Sequence, residues 1–151
     1  MAKGRRSLKS VFLDSSVFFT AVNSPTGGSS KLFTLTDVKL VTSSLVLTET
    51  ERSVRKKLQS YHLDRFFILA DKLEILKQTP NEKSIQKAKK VIVEKDAVIL
   101  AEAKKAKTNF LVTLDRKHFL TEQVGKFLKP QMVFTPKDLI TILEKRSYAK
   151  K

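Results

Sequence analysis

The chain has 151 residues, 41% of them hydrophobic, with four glycines, four prolines and no cysteine. This is one domain's worth of chain with enough apolar material for a core, which excludes disorder throughout, disulfides and cysteine chemistry. The formal net charge of +15 favours polyanionic partners, because a cationic surface gains by releasing counterions from phosphates.

Residues 1–9 read as a flexible basic lead-in, 10–146 as a single domain and 147–151 as a basic tail. Val11 to Leu13 is a short apolar strand that stops at Asp14, and Val17 to Val22 is apolar enough for a helical turn. Pro25 to Ser30 is a loop by composition, with Ser29 or Ser30 suited to cap a short helix through Leu35. Leu40 to Thr42 forms a second strand, and Ser43 or Ser44 caps a helix from Leu45 to about Leu58. A further helix spans Leu63 to Lys72, with Phe66, Phe67, Leu69 and Ala70 expected to face inward. Leu73 to Leu76 is a third strand, Thr79 to Asn81 a turn, and Glu82 to Lys90 a helix that Val91 to Val93 either extend or break. A helix from Lys95 to Lys107 leads into the strand Phe110 to Leu114, which closes on Asp115. Thr121 to Leu128 is a short helix stopped near Pro130, Met132 to Phe134 the last strand, and Pro136 the first turn of a helix to about Lys145. No apolar stretch approaches the roughly 20 residues that span a bilayer, and the missing cysteines fit a reducing cytoplasm.

Strands alternating with helices predict an α/β fold around a mainly parallel sheet of four or five strands. In such sheets ligands gather at the carboxyl ends of the strands, where Asp14 and Asp115 fall. Asp96 heads the apolar stripe Ile99, Leu100 and Ala103, which turns it towards the core edge. A fourth acid is Glu49 or Glu51, which periodicity alone does not separate. Converging carboxylates repel one another unless cations neutralise them, and hard oxygen ligands suit Mg²⁺ or Mn²⁺. Such an ion acidifies water into a nucleophile for attack at phosphorus. A basic body with a small acidic centre is what a metal-dependent nuclease requires.

Four segments together resemble the PIN-domain nucleases, most closely the toxin components of toxin–antitoxin systems: Val11-Phe-Leu-Asp-Ser-Ser16, Ser44-Leu-Val-Leu-Thr-Glu49, Asp96-Ala-Val-Ile-Leu-Ala-Glu-Ala103 and Leu111-Val-Thr-Leu-Asp-Arg-Lys-His-Phe119. The resemblance implies a three-layer α/β/α fold with a five-stranded sheet, and a Mg²⁺- or Mn²⁺-dependent ribonuclease that leaves 5′-phosphate and 3′-hydroxyl ends. It assigns Asp14, Glu49, Asp96 and Asp115 to catalysis and metal binding. By that pattern the three aspartates hold the main ion, and Glu49, chosen over Glu51, completes the site or binds a second ion. It places Ser16 and Thr113 at the substrate. RNA, an antitoxin protein and a second copy of the chain are the implied partners. Thr50 departs from the pattern, which has an apolar residue there, and the basicity exceeds that of a typical member, which points to ribosomal or structured RNA.

Other signals carry less. Neither His62 nor His118 has a nucleophile-elbow motif beside it, so a Ser–His–Asp triad is not indicated, and His118 reads as a helix-end surface residue, with contact to substrate as the alternative. Gly27-Gly28 lacks the lysine of a phosphate-binding loop. Glu102 is expected on the flank of its helix, facing solvent or a lysine, and Lys87-Ala-Lys-Lys90 and Lys104-Lys105 read as solvated helix faces, with RNA contact as the alternative for each. A receiver-like signalling domain also has acids at strand ends, but it would pair them after the first strand, where Ser15-Ser16 stands here. An RNA-binding module with a vestigial metal site is the alternative function.

Overall fold

The computed structural model describes residues 8–149. The lead-in expected over 1–9 lies outside these residues up to Ser7, and strand β1 (Lys9–Leu13) has begun by Lys9. Helix α1 (Ser15–Asn23) and the short α2 (Gly28–Leu32) lead to β2 (Val38–Ser43). Next come α3 (Ser44–Lys57), α4 (His62–Ala70) and β3 (Glu74–Leu76). Helices α5 (Glu82–Lys89) and α6 (Glu94–Ala106) precede β4 (Phe110–Val112), followed by α7 (Glu122–Leu128), β5 (Met132–Phe134) and α8 (Pro136–Ala149). The last helix thus runs past the expected Lys145. Among the described residues, no helix is long and apolar enough to cross a membrane.

The five strands form one sheet in the order β3-β2-β1-β4-β5, and every pairing is parallel. Strand periodicity divides the core. Val11 and Leu13 of β1, Leu40 of β2 and Phe110 and Val112 of β4 point to one face, beneath α1, α2, α4 and α8. Phe12, Val41 and Leu111 point to the other, beneath α5, α6 and α7. Each of these side chains is at most 8% exposed, as a parallel sheet covered on both faces demands. Fully burying a Phe or Leu stabilises the fold by roughly 1.5–3 kcal/mol each. On the first face Phe18 stacks on Phe66 with ring centroids 5.2 Å apart. Helix α3 spans both layers, with Val46 in the second cluster and Val54 in the first.

Several local expectations are corrected. Phe67 is 51% exposed, because it lies about 100° around α4 from Phe66 while Leu69 shares the buried face. The short α2 starts earlier than expected. Gly27, at φ 98°, precedes it, and Ser30 donates its hydroxyl to the carbonyls of Ala21 and Ser24 instead of capping. Residues 91–93 break the helix, so that α6 begins at Glu94. Strand β4 ends at Val112, two residues short of expectation, and Leu114 is 39% exposed.

The topology decides where a ligand fits. From β1 the chain winds outward to β2 and β3, then crosses to the other side of β1 for β4 and β5. The winding direction therefore reverses between β1 and β4. The crevice outside the carboxyl ends at such a reversal is the usual ligand site of open parallel sheets.

Candidate metal centre at the carboxyl edge of the sheet

Asp14 follows β1 directly and caps α1. Its Oδ1 accepts hydrogen bonds from the Val17 amide at 3.2 Å and the Ser16 hydroxyl at 2.6 Å, and its Oδ2 accepts from Thr113 Oγ1 at 2.5 Å. Ser16 Oγ also accepts from the Leu114 amide at 3.0 Å, which ties the loops after β1 and β4 together. Thr113 Oγ1 accepts from the Asp115 amide at 3.0 Å. Only 3% of Asp14 is exposed, and burial outweighs these hydrogen bonds, raising its pKa from 3.8 to about 6. The neighbouring charge of Asp115 adds a smaller upward push.

Asp115 Oδ1 accepts from the His118 amide at 2.9 Å, fixing the turn that follows β4. The turn brings His118 Nδ1 to 3.3 Å from Asp115 Oδ2 and 3.5 Å from Asp96 Oδ2. One ligand atom each from Asp96, Asp115 and His118 all lie within 4.8 Å of one another. Asp96, in the first turn of α6, is raised above the ordinary carboxylate range by burial, against the opposing charge of Lys95. Its Oδ2 is buried and takes no hydrogen bond among the described residues. An orphaned buried carboxylate oxygen beside a second carboxylate and an imidazole is a donor set that a divalent cation fits.

Glu49, half-buried on α3, is raised by burial first and then by the like charge of Asp96, which places it at the same edge. Glu51 instead pairs with Arg55 Nε at 2.9 Å, so the two acids that periodicity left unranked point to different partners. The structure thus groups Asp96 and Asp115 with His118, with Asp14 and Glu49 beside them but outside that set. Ser16 and Thr113, expected at the substrate, both hydrogen-bond to Asp14, and Thr113 is fully buried.

Two residues were misjudged from sequence. His118 was expected on the surface, yet it is 22% exposed between two carboxylates. Its position three residues after Asp115 was the available signal, since one turn of chain returns it to the same side. Glu102 was expected to face solvent, yet it is 7% exposed, because α6 is covered beyond its apolar stripe. It borders a cavity of about 480 Å³ with Ser43 and Leu76, and its Oε1 is an orphan among the described residues. Burial and the charge of Glu49 hold its carboxyl above the usual range.

A parallel sheet with acids gathered at its topological reversal defines an α/β protein whose candidate site lies where open parallel sheets bind ligands. The profile of the PIN domain matches residues 11–122, most of the chain, and the protein belongs to the PIN domain family. Two solved structures share the fold. PAE2754 from Pyrobaculum aerophilum aligns with a TM-score of 0.61 at 12% identity over 90% of each chain. VapC20 of Mycobacterium tuberculosis, a toxin that cleaves the sarcin-ricin loop, aligns with a TM-score of 0.54 at 16% identity, over 71% of this chain and 91% of its own. No curated protein matches by sequence.

Proposed function

We propose that the protein is a divalent-cation-dependent endoribonuclease of the PIN type. The observation that carries this reading is the set of Asp96, Asp115 and His118 ligand atoms within 4.8 Å, with Asp96 Oδ2 orphaned, at the sheet's topological reversal. Asp96, Asp115 and His118 would hold Mg²⁺ or Mn²⁺, with Asp14 and Glu49 completing the acidic edge. When bound, the ion supplies Lewis acidity that activates water and offsets charge at the phosphorus. The chain's own residues do the rest. Thr113 and Ser16 hold the Asp14 carboxylate in one orientation, and the Asp115 turn presents His118 to the same point. The cationic surface holds the phosphates of the substrate near the acids.

RNA as substrate follows from family membership, from the charge of +15 and from the fold shared with an RNA-cleaving toxin. A toxin role in the cytoplasm, with an acidic antitoxin as partner and a homodimer as the working unit, extends the same reading. Titrating Mn²⁺ into purified protein with a mixed RNA pool should switch on cleavage. Asp14→Asn should abolish it while leaving the circular dichroism spectrum and most RNA affinity intact, and cleavage surviving in that variant refutes the assignment.

A second reading, RNA binding without cleavage, draws on one feature: both Asp14 oxygens already accept hydrogen bonds. It predicts no cutting at any Mn²⁺ concentration, together with steeply salt-dependent RNA binding.

A further inference from the structure

A second cavity lies away from the acids, at the opposite pole of the sheet. It encloses about 700 Å³ against the amino ends of β4 and β5, bordered by Asn109 and Gln131, which directly precede those strands. Five lysines line it, Lys87, Lys104, Lys105, Lys107 and Lys129, and no carboxylate does. Two of them are engaged with backbone: Lys104 Nζ donates to the Phe127 carbonyl at 2.6 Å, and Lys105 Nζ to the Thr79 carbonyl at 3.1 Å. Lys87, Lys107 and Lys129 are exposed and make no ion pair among the described residues.

Helix capping explains part of this arrangement but not all of it. Lysines favour helix C-termini; α6 and α7 both end here, and Lys87 stands in the last turn of α5. Each helix end carries about half a negative charge, so three ends offset about one and a half of five positive charges. A concave site with that much uncompensated charge attracts an anion. The substrate narrows the class. Lysine acts as a point charge on phosphate and carboxylate oxygens alike, and an RNA chain offers phosphates in series.

We propose that this lysine-lined cavity is a second phosphate-binding site, which grips the backbone of an RNA whose scissile bond lies at the acidic edge. The proposal rests on RNA being the substrate. Eleven residue steps along α6 separate Asp96 from Lys107, about 16 Å at 1.5 Å per residue, so only an RNA of several nucleotides engages both poles. The cavity sets affinity for long RNA and leaves the cleavage of a dinucleotide untouched.

The test is fluorescence anisotropy with labelled single-stranded RNA in EDTA, where binding is read without cutting. The triple variant Lys87→Glu/Lys107→Glu/Lys129→Glu is compared with Lys72→Glu/Lys137→Glu/Lys145→Glu, which changes net charge equally at exposed positions elsewhere. The cavity variant should bind at least about tenfold more weakly than the control, with a log–log salt slope shallower by about 2, three lost phosphate contacts at about 0.7 each. Equal weakening of the two variants overturns the site. Competition by polyglutamate as strong as by RNA overturns it in favour of an acidic protein partner. A Mn²⁺-dependent cleavage assay on a mixed RNA pool separates the two levels. If the wild-type protein cuts and the variants bind equally, only the second site has failed; if it does not cut, the nuclease reading has failed whatever the binding data show.

Discussion

Asp14 is a buried carboxyl held by three hydrogen bonds. Its pKa rises from 3.8 in the unfolded chain to about 6 in the fold, so between those values the folded state holds a proton that the unfolded state has released. The stability this group contributes is complete below pH 3.8 and is lost as pH climbs through 6. At 1.36 kcal/mol per pH unit the loss amounts to about 3 kcal/mol. Asp14→Asn keeps the acceptor for the Val17 amide but has no charge to desolvate. Urea unfolding of metal-free protein at pH 4 and pH 7 should show the wild type losing stability across that interval and the variant losing much less. Parallel slopes for the two proteins would mean that another group sets the acid limb. His118 makes a different claim, about which ion fits. Imidazole favours later first-row metals over Mg²⁺. His118→Ala should therefore weaken Co²⁺ binding by about tenfold or more in calorimetry and Mg²⁺ binding by a smaller factor. No loss for either ion would place His118 outside the coordination sphere.

At the level of elements, the helices show where the sequence could be read and where it could not. Asp14, Asp115 and Asp96 were legible because each ends an apolar strand or heads an apolar stripe, and strand and helix periods translate directly into position. His118 and Glu102 were not, since their surroundings come from segments distant in sequence. Nothing near Glu102 announces that it will line a cavity together with Ser43 and Leu76. Phe67 misled for the converse reason, an aromatic beside the buried stripe being taken as part of it. Thr50, flagged by its departure from the family pattern, lies on the buried face of α3, 1% exposed, with an orphaned hydroxyl. Thr50→Val keeps the shape and removes an unsatisfied buried group, so it should stabilise the protein by about 1 kcal/mol, or about 2–4 °C in Tm. A lower Tm would show that the hydroxyl has a partner in solution.

For the molecule as a whole, strand order was the part no local pattern could supply, and it is the part that makes the acids a site. Order β3-β2-β1-β4-β5 sets the ends of β1 and β4 side by side, although 99 residues separate the bonded Asp14 and Thr113. The acids gathered there oppose one another and the surrounding burial, with Asp14, Glu49 and Asp96 all raised above their ordinary values. A divalent cation reverses that balance, because it binds the deprotonated carboxylates and relieves their repulsion. Mn²⁺ at a hundredfold excess over its Kd should stabilise the fold by about 2.7 kcal/mol at pH 7.5, or about 5–11 °C in Tm. At pH 5 Asp14 is largely protonated and the ion must first displace protons, so the gain shrinks. Asp96→Asn and Asp115→Asn should each remove most of the gain at pH 7.5. Thermal melts with and without Mn²⁺ at the two pH values decide the point. A gain that is the same at pH 5 and pH 7.5, or that survives both substitutions, would locate the ion elsewhere on the surface and remove the physical basis for hydrolysis at this edge.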